Sequence, residues 1–278
     1  MAIRVVTDSS SALHDGEDGL TVVPLIVRIG DREYREGVDI GPGEVAAALR
    51  SGEKVTTSQV PMGELRESYR RLLDEGAEGV VSVHLSSKLS GTVSAARTVA
   101  SEFDGRVVVV DSLGAGMALG YPALAAARAA SKGEAIGPVA AAAQAPVNGI
   151  NTYFYLDTLE YLRRGGRIST ARALVGTALS VKPILALDDG VISMIEKVRT
   201  PSRGLQRLAA LAEEAVGSRP AELTVHHLQS EKNAVALAEW LTKRFADQVT
   251  DVRVSEIGAA LGAHCGPGVV GVVACPEA

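Results

Sequence analysis

The chain has 278 residues, of which 46% are hydrophobic, 22% charged and only 4% aromatic, and its formal net charge is −5. Basic residues are spread along it and few rings are available for stacking, which excludes an ordinary nucleic-acid surface. No run approaches the ~18 apolar residues that cross a bilayer, so the expectation is a soluble protein without stable membrane insertion, in one large or two moderate domains.

Taken in chain order, IRVVT at the start reads as a strand. LTVVPLIVRIG and REYREG read as strands that pair across Gly30-Asp31. GEVAAALRSG and GELRESYRRLLDEG read as helices bounded by glycine. GVVSVHL and RVVVVD are β-branched and continuous rather than alternating. That pattern suits strands buried on both faces of a parallel sheet. The alanine-rich segment 116–133 reads as a helix. The first domain is therefore expected to be α/β, a mostly parallel sheet flanked by helices.

QAPVNGIN, with its Pro, Asn and Gly, marks the expected boundary, giving domains of residues 1–150 and 151–278. After it, residues 152–166 read as a short strand and a helix that stops at a glycine pair. Residues 182–199 read as a hairpin turning at Asp-Gly. Amphipathic helices are expected near Ser202–Val216 and Lys232–Phe245, and ELTVHHL, DVRVSEI and GVVGVVA read as strands. GAALGAHCGPGVVG, with five glycines and a proline, reads as a loop between two of them. This order predicts an α+β second domain.

In an open α/β sheet, ligands bind beyond the carboxyl ends of the strands. Three such ends carry TDSSS, SSKLSGT and DSLGAG, and KVTTSQ adds more hydroxyls before a helix. Hydroxyl donors, glycine and a helix N-terminus suit a carboxylate or phosphate held by hydrogen bonds rather than a tight ion pair. The same serines and threonines also serve as ordinary helix caps. DSLGAGMALG has one residue too many for a dinucleotide fingerprint, so it reads as a tight strand-to-helix connection. Asp8 and Asp111 stand at strand ends, where they either cap the following turns or hold a metal.

In LEYLRRGGRIS, Arg163 and Arg164 read as solvated residues at a helix C-terminus. Arg167 lies past the break and is free to grip an anion. Lys197 and Arg199 are candidates for the same face. His264 in the glycine-rich stretch is a site candidate, and His84 in a strand reads as structural. Cys265 beside His264 makes a poor nucleophile–base pair, since adjacent residues rarely face each other. The two cysteines, Cys265 and Cys275, form no metal or redox motif and read as thiols of a reducing cytoplasm. The N-terminal MAIRVVTDSSS lacks a secretory h-region of adequate length, which gives the same cytoplasmic expectation.

The ordered set TSQ (57–59), SSKLSGT (86–92), LEYLRRGGRIS (159–169), KPIL (182–185) and HCGPGVVG (264–271), with the opening VVTDSSS, resembles the DegV family over essentially the whole chain. The resemblance implies a long-chain fatty acid bound between two domains and no cofactor. It also implies a role as the acyl-carrying subunit of a fatty acid kinase, in which a separate ATP-dependent subunit phosphorylates the carboxylate for phospholipid synthesis. By motif position, Thr57, Ser90 and His264 are implied to hold the carboxylate, with Ser58 and Gly91 as neighbours. Arg167 and Arg199 match arginines implied in kinase docking or phosphate contact. The chain has TSQVPM and HCGPG where the family usually has TSQPS and HTGPG. The competing readings are a metal-dependent phosphotransferase or hydrolase built on Asp8 or Asp111, and a regulator that acts only through a partner.

Overall fold

The computed structural model describes residues 3–168, 182–249 and 252–277. The first half runs β1 (Ile3–Asp8), β2 (Leu20–Val23), β3 (Ile26–Ile29), β4 (Arg32–Arg35), α1 (Pro42–Arg50), β5 (Val55–Ser58) and α2 (Met62–Asp74), then β6 (Gly79–His84), α3 (Thr92–Ala100), β7 (Val107–Asp111), α4 (Met117–Ser131) and α5 (Ile136–Gln144). The second half runs β8 (Asn151–Tyr155), α6 (Glu160–Gly165), β9 (Lys182–Asp188), β10 (Val191–Val198) and α7 (Pro201–Val216), then β11 (Ala221–His227), α8 (Glu231–Arg244), β12 (Val252–Glu256), α9 (Ala259–Cys265) and β13 (Val270–Pro276).

The first half builds an all-parallel sheet in the order β2-β1-β6-β7. Every residue of β6 is buried, which is what a continuous apolar run in a doubly covered strand requires. On one face Val5, Val81 and Val83 meet Leu119, Ala123 and Val139 of α4 and α5. On the other, Val6 and Val80 meet Leu65, Tyr69, Val99 and Phe103. LTVVPLIVRIG is two strands rather than one. Pro24 has no N–H for a ladder, and the chain changes sheets there: β2 pairs with β1, while β3 pairs with β4 and β5 in a separate antiparallel sheet. The turn at Gly30-Asp31 holds, with Ile29 opposite Arg32.

The second half builds a mixed six-stranded sheet in the order β10-β9-β8-β13-β11-β12. Its hairpin turns at Asp189-Gly190 as the sequence predicts, both residues having positive φ. Strand alternation divides the sheet's two faces. Tyr155, Leu223, Val225, Val270 and Val272 pack under α7 and α8. The alternate residues face the first half. His226 Nε2 accepts from the Met117 amide at 3.0 Å, and the Tyr121 and Thr224 hydroxyls meet at 2.8 Å. SSKLSGT adds a third tie, because Ser86 Oγ donates to the Gly190 carbonyl (2.8 Å) and Lys88 Nζ to Asp189 Oδ2 (2.6 Å).

The expected loop over 258–271 is in part a helix. Alanine is the strongest helix former, and Ala259, Ala260 and Ala263 of α9 are buried in the same cluster as Val45 and Leu49 of the first half. The glycines that suggested a loop lie mostly outside the helix, before and after it.

Asp8 is a structural residue. Its Oδ1 accepts from the Ser10 amide and hydroxyl, and its Oδ2 accepts from the Leu85 amide (3.0 Å) and bonds His84 Nδ1 (3.0 Å). Both Asp8 and His84 are fully buried, and the chain of bonds continues through Ser82 to the Tyr69 hydroxyl. Asp8→Ala orphans several buried donors at once, each costing about 1–3 kcal/mol. The variant is expected to lose about 3 kcal/mol or more of stability, read as a lowered urea midpoint.

Candidate functional site

A cavity lies between the inner face of the six-stranded sheet and the first half of the chain. It holds about 1000 Å³ of atom-free space, its open mouth included. Most of its wall is apolar: Phe154, Leu187, Ile192 and Val273 from the sheet, and Leu25, Leu85 and Leu89 from the facing half. The sheet contributes these because β8 alternates, Tyr153 and Tyr155 packing toward α7 while Thr152 and Phe154 turn to the cavity.

Five of the seven residues singled out in the sequence line this cavity: Thr57, Ser58, Ser90, Arg167 and His264. Thr57 and Ser58 end β5, in register with Val27 and Ile26. His264 is in the last turn of α9, and its Nε2 lies 2.7 Å from Thr57 Oγ1 across 207 residues of sequence. The ring is wedged against Gly165, where a Cβ would collide with Nδ1. Burial, and secondarily the Arg167 charge, push the His264 acid down to about 4, so the imidazole is neutral near pH 7. Nδ1 is shielded and has no hydrogen-bond partner among the described residues. An orphaned N–H is rarer than an orphaned lone pair, which assigns the single proton to Nε2. Nε2–H then donates to Thr57 Oγ1, and the threonine's own proton is free for an acceptor in the cavity.

Ser90 precedes α3. Its amide donates to the Ser86 carbonyl (3.1 Å), and its hydroxyl oxygen accepts from the Thr92 amide (3.3 Å) and lies 3.0 Å from Thr92 Oγ1. The hydroxyl thus does both things read from the sequence, helping to cap a helix and facing the cavity. Gly91 does not line the cavity; its Cα lies against the Gln59 side chain, leaving no room for a Cβ.

The glycine pair after α6 aims Arg167. Gly166 takes a left-handed conformation, and the Arg167 amide returns to the Leu162 carbonyl at 3.2 Å. Arg167 is half-buried, its Nε donating to the Leu89 carbonyl (3.2 Å) and its Nη1 to the Gly165 carbonyl. A guanidinium therefore shares the wall with the neutral donors, where the residues alone suggested hydrogen bonds without an ion pair. Arg163 and Arg164 are exposed, Arg164 pairing with Glu160, as expected of a solvated helix end. Arg199 is not part of this wall. It is exposed just beyond β10, as is Lys197 within it, and among the described residues it makes no hydrogen bond to the site. Ser169 of the arginine motif lies outside the described residues.

Two of the hydroxyl loops contribute differently from expectation. Ser10 and Ser11 of TDSSS are fully buried in a turn capped by Asp8 and stay off the cavity wall. DSLGAG contributes Ala115 and Gly116 to the wall rather than a hydroxyl. Asp111 Oδ1 accepts from the Ser87 and Leu113 amides. Both oxygens of Asp8 are committed to protein partners, and among the described residues no cluster of three metal-ligating side chains occurs. Burial pushes the Cys265 thiol up to about 12, and among the described residues no hydrogen bond joins it to His264.

Sequence reasoning passed over two residues. His226 lines the cavity, accepts from Met117 through Nε2 and contacts the Ser255 carbonyl through Nδ1 (3.4 Å). Burial pushes its acid down to about 4. Glu36 is buried beside the start of α9. The alternation of ELTVHHL marks His226 as opposite in face to Val225, but nothing in REYREG marks Glu36 as buried.

The DegV family model, described as an uncharacterised protein family, matches residues 2–277. A DegV domain-containing protein of Streptomyces coelicolor is 46% identical over 98% of this chain and 97% of its own length. The solved structure of a DegV family protein from Thermus thermophilus, described as fatty acid binding, superposes with a TM-score of 0.92 at 33% identity, covering 100% of both chains. That of DegV from Bacillus subtilis, described as a fatty acid binding protein, gives a TM-score of 0.89 at 33% identity, again over 100% of both chains. Among the described residues no helix is long and apolar enough to cross a membrane.

The depressed pKa of His264 predicts a pH signature. Between the ordinary value of 6.5 and about 4 the unfolded chain takes up a proton that the folded chain refuses, so this residue's contribution to stability falls as pH drops through that window and levels off below it. His264→Gln is expected to fall less steeply than wild type when urea midpoints are compared from pH 7 to pH 4.

Proposed function

The chain belongs to the DegV family, and on that premise we propose that it binds one long-chain fatty acid in the cavity, carboxylate toward Thr57, Ser90 and His264. The observation that carries this reading is the cavity's polarity pattern: an apolar wall, with neutral hydroxyls, a neutral imidazole and one guanidinium among its few polar groups. Each methylene of an acyl tail removed from water contributes roughly 0.8 kcal/mol. A buried carboxylate is costly unless it receives hydrogen bonds, and the Thr57 and Ser90 hydroxyls are placed to donate them. His264 acts through Thr57, fixing its oxygen so that its proton faces the ligand. Ser58 and Gly91 shape the same end, Ser58 from the wall and Gly91 by admitting the Gln59 side chain.

In this reading the chain presents its acid to a separate ATP-dependent kinase subunit and supplies no catalytic machinery itself. A carboxylate oxygen attacks the γ-phosphorus of ATP, the bond to ADP breaks, and an acyl phosphate leaves for phospholipid synthesis in the cytoplasm. The family resemblance supports this sequence of events. Arg167 is suited to the phosphate: its guanidinium is already on the cavity wall and oriented by two backbone carbonyls. Arg199, exposed beyond β10, is suited to contact with the kinase.

Titration of delipidated protein with palmitate or oleate is expected to saturate at one equivalent per chain. Hydrogen bonds to charged groups contribute about 1.5–3 kcal/mol each, so Thr57→Ala with Ser90→Ala should weaken binding by well over tenfold while circular dichroism stays unchanged. Failure of the folded wild type to bind either acid would sink the proposal. Arg167→Ala is expected to keep the lipid and lose acyl phosphate formation with the kinase; loss of the lipid itself would reassign Arg167 to the carboxylate.

A further inference from the structure

α9, the helix that carries His264, is seven residues long and has no capping side chain of its own, since Gly258 precedes it. Its first turn is held instead by a residue more than 200 positions earlier. The Ala260 amide donates to Glu36 Oε1 at 2.7 Å. Glu36 Oε2 accepts from the Ser9 hydroxyl, whose oxygen accepts from the Leu25 amide at 2.9 Å. Glu36 is only 4% exposed, and a Cβ on Gly258 would collide with its Oε1. The carboxyl group thus occupies a fitted niche between β1, β4 and α9, at the floor of a second groove.

Among the described residues, no lysine or arginine lines this niche. The titratable groups around it are Asp8 on β1, His14 and Asp15 in the turns that follow, and Glu256 at the end of β12. Glu44 on α1 is turned away to the Gly41 amide at 3.1 Å. One turn further along α9, about 6 Å from Ala260 at 1.5 Å per residue, His264 meets Thr57. The Ala260 amide can only donate, so its bond is stronger to an ionised Glu36 than to a protonated one.

We propose that Glu36 is a positioning residue for the headgroup end of the cavity: it anchors the first turn of α9, so that His264 Nε2 is held against Thr57 Oγ1, and losing its charge loosens that hold. The ligand side of this inference rests on the fatty acid reading; the His264 side does not. Burial pushes the Glu36 acid up to about 7 against the bonds from Ser9 and Ala260, so the anchor changes state in the neutral range. The signs of the local and global effects differ. Glu36's stability contribution is present below its ordinary value of 4.5 and is lost as pH rises through about 7. Over the same rise the local bond to α9 tightens. A weakly buffered acidification would therefore relax the headgroup site without unfolding the chain.

The test compares wild type with Glu36→Gln, which keeps the shape and removes the charge. Oleate affinity is measured at pH 8 and pH 6, and the His264 imidazole nitrogens are followed by NMR in the lipid-free protein. In wild type, affinity is expected to fall roughly fivefold or more from pH 8 to pH 6, with the His264 Nε2 resonance shifting about a midpoint near 7. In Glu36→Gln both responses are expected to flatten toward the wild-type low-pH values. Parallel pH profiles in the two proteins would overturn the proposal, since a purely structural glutamate would lower stability without changing them. If wild type binds no oleate, the fatty acid reading fails and the His264 resonance still decides the role of Glu36. If Glu36→Gln does not fold, Ser9→Ala replaces it: removing a bond that favours the ionised acid should move the His264 midpoint upward, and an unmoved midpoint would count against the anchor.

Discussion

The hydrogen bond between Thr57 and His264 joins the edge of the three-stranded antiparallel sheet to a helix that leads into the last strand of the six-stranded one. Much of the site's geometry converges on it. β3 holds Thr57 in register, Gly165 backs the imidazole, and α9 buries its alanines in the first half's core. Because the two partners come from opposite ends of the chain, the bond exists only when both halves are folded and apposed. The site is therefore a product of the interface rather than of either sheet.

Among the described residues, the buried ties across that interface are hydrogen bonds, and its ion pairs are at least partly exposed. The buried ties include Ser86 to the Gly190 carbonyl, His226 to the Met117 amide and Tyr121 to Thr224, while the Lys88–Asp189, Arg128–Glu222 and Arg253–Glu17 pairs are at least partly exposed. Exposed pairs contribute about 0–1 kcal/mol. Burying His226 and His264 in neutral form avoids the larger cost of a buried cation. Among the described residues, the guanidinium on the cavity wall is that of Arg167. Glu36 departs from that economy: burial raises its pKa to about 7, and its partners are the Ser9 hydroxyl and the Ala260 amide.

Much of the architecture was legible in the sequence because it is written locally. Continuous β-branched runs gave β6 and β7, and Asp-Gly gave the β9–β10 turn. The arginine segment's glycine pair correctly marked the end of α6. Where the signal failed, composition outweighed pattern. Glycines flanking α9 hid the alanines inside it, and a long apolar run hid the sheet change at Pro24. The candidate site was partly legible for a different reason: its residues sit in spaced motifs that resemble a family, and the folded chain brings Thr57, Ser58, Ser90, Arg167 and His264 to one cavity. Gly91 shares those motifs but not the wall, and Arg199, also implied by the resemblance, lies off the wall too. The face of His226 follows from the alternation of ELTVHHL, but its partner Met117 and the partners of Glu36 on α9 lie far away in sequence, and no local pattern encodes them.

The central claim is that the polar end of an apolar cavity is built to receive a carboxylate. The most direct measurement is a crystal structure of the protein loaded with a single fatty acid. The account predicts one ligand per chain, its carboxyl oxygens within hydrogen-bond distance of Thr57 Oγ1 and Ser90 Oγ, and its tail against Phe154, Leu187 and Ile192. A ligand bound in the reverse direction, with its methyl end at Thr57 and its carboxylate elsewhere, would contradict it.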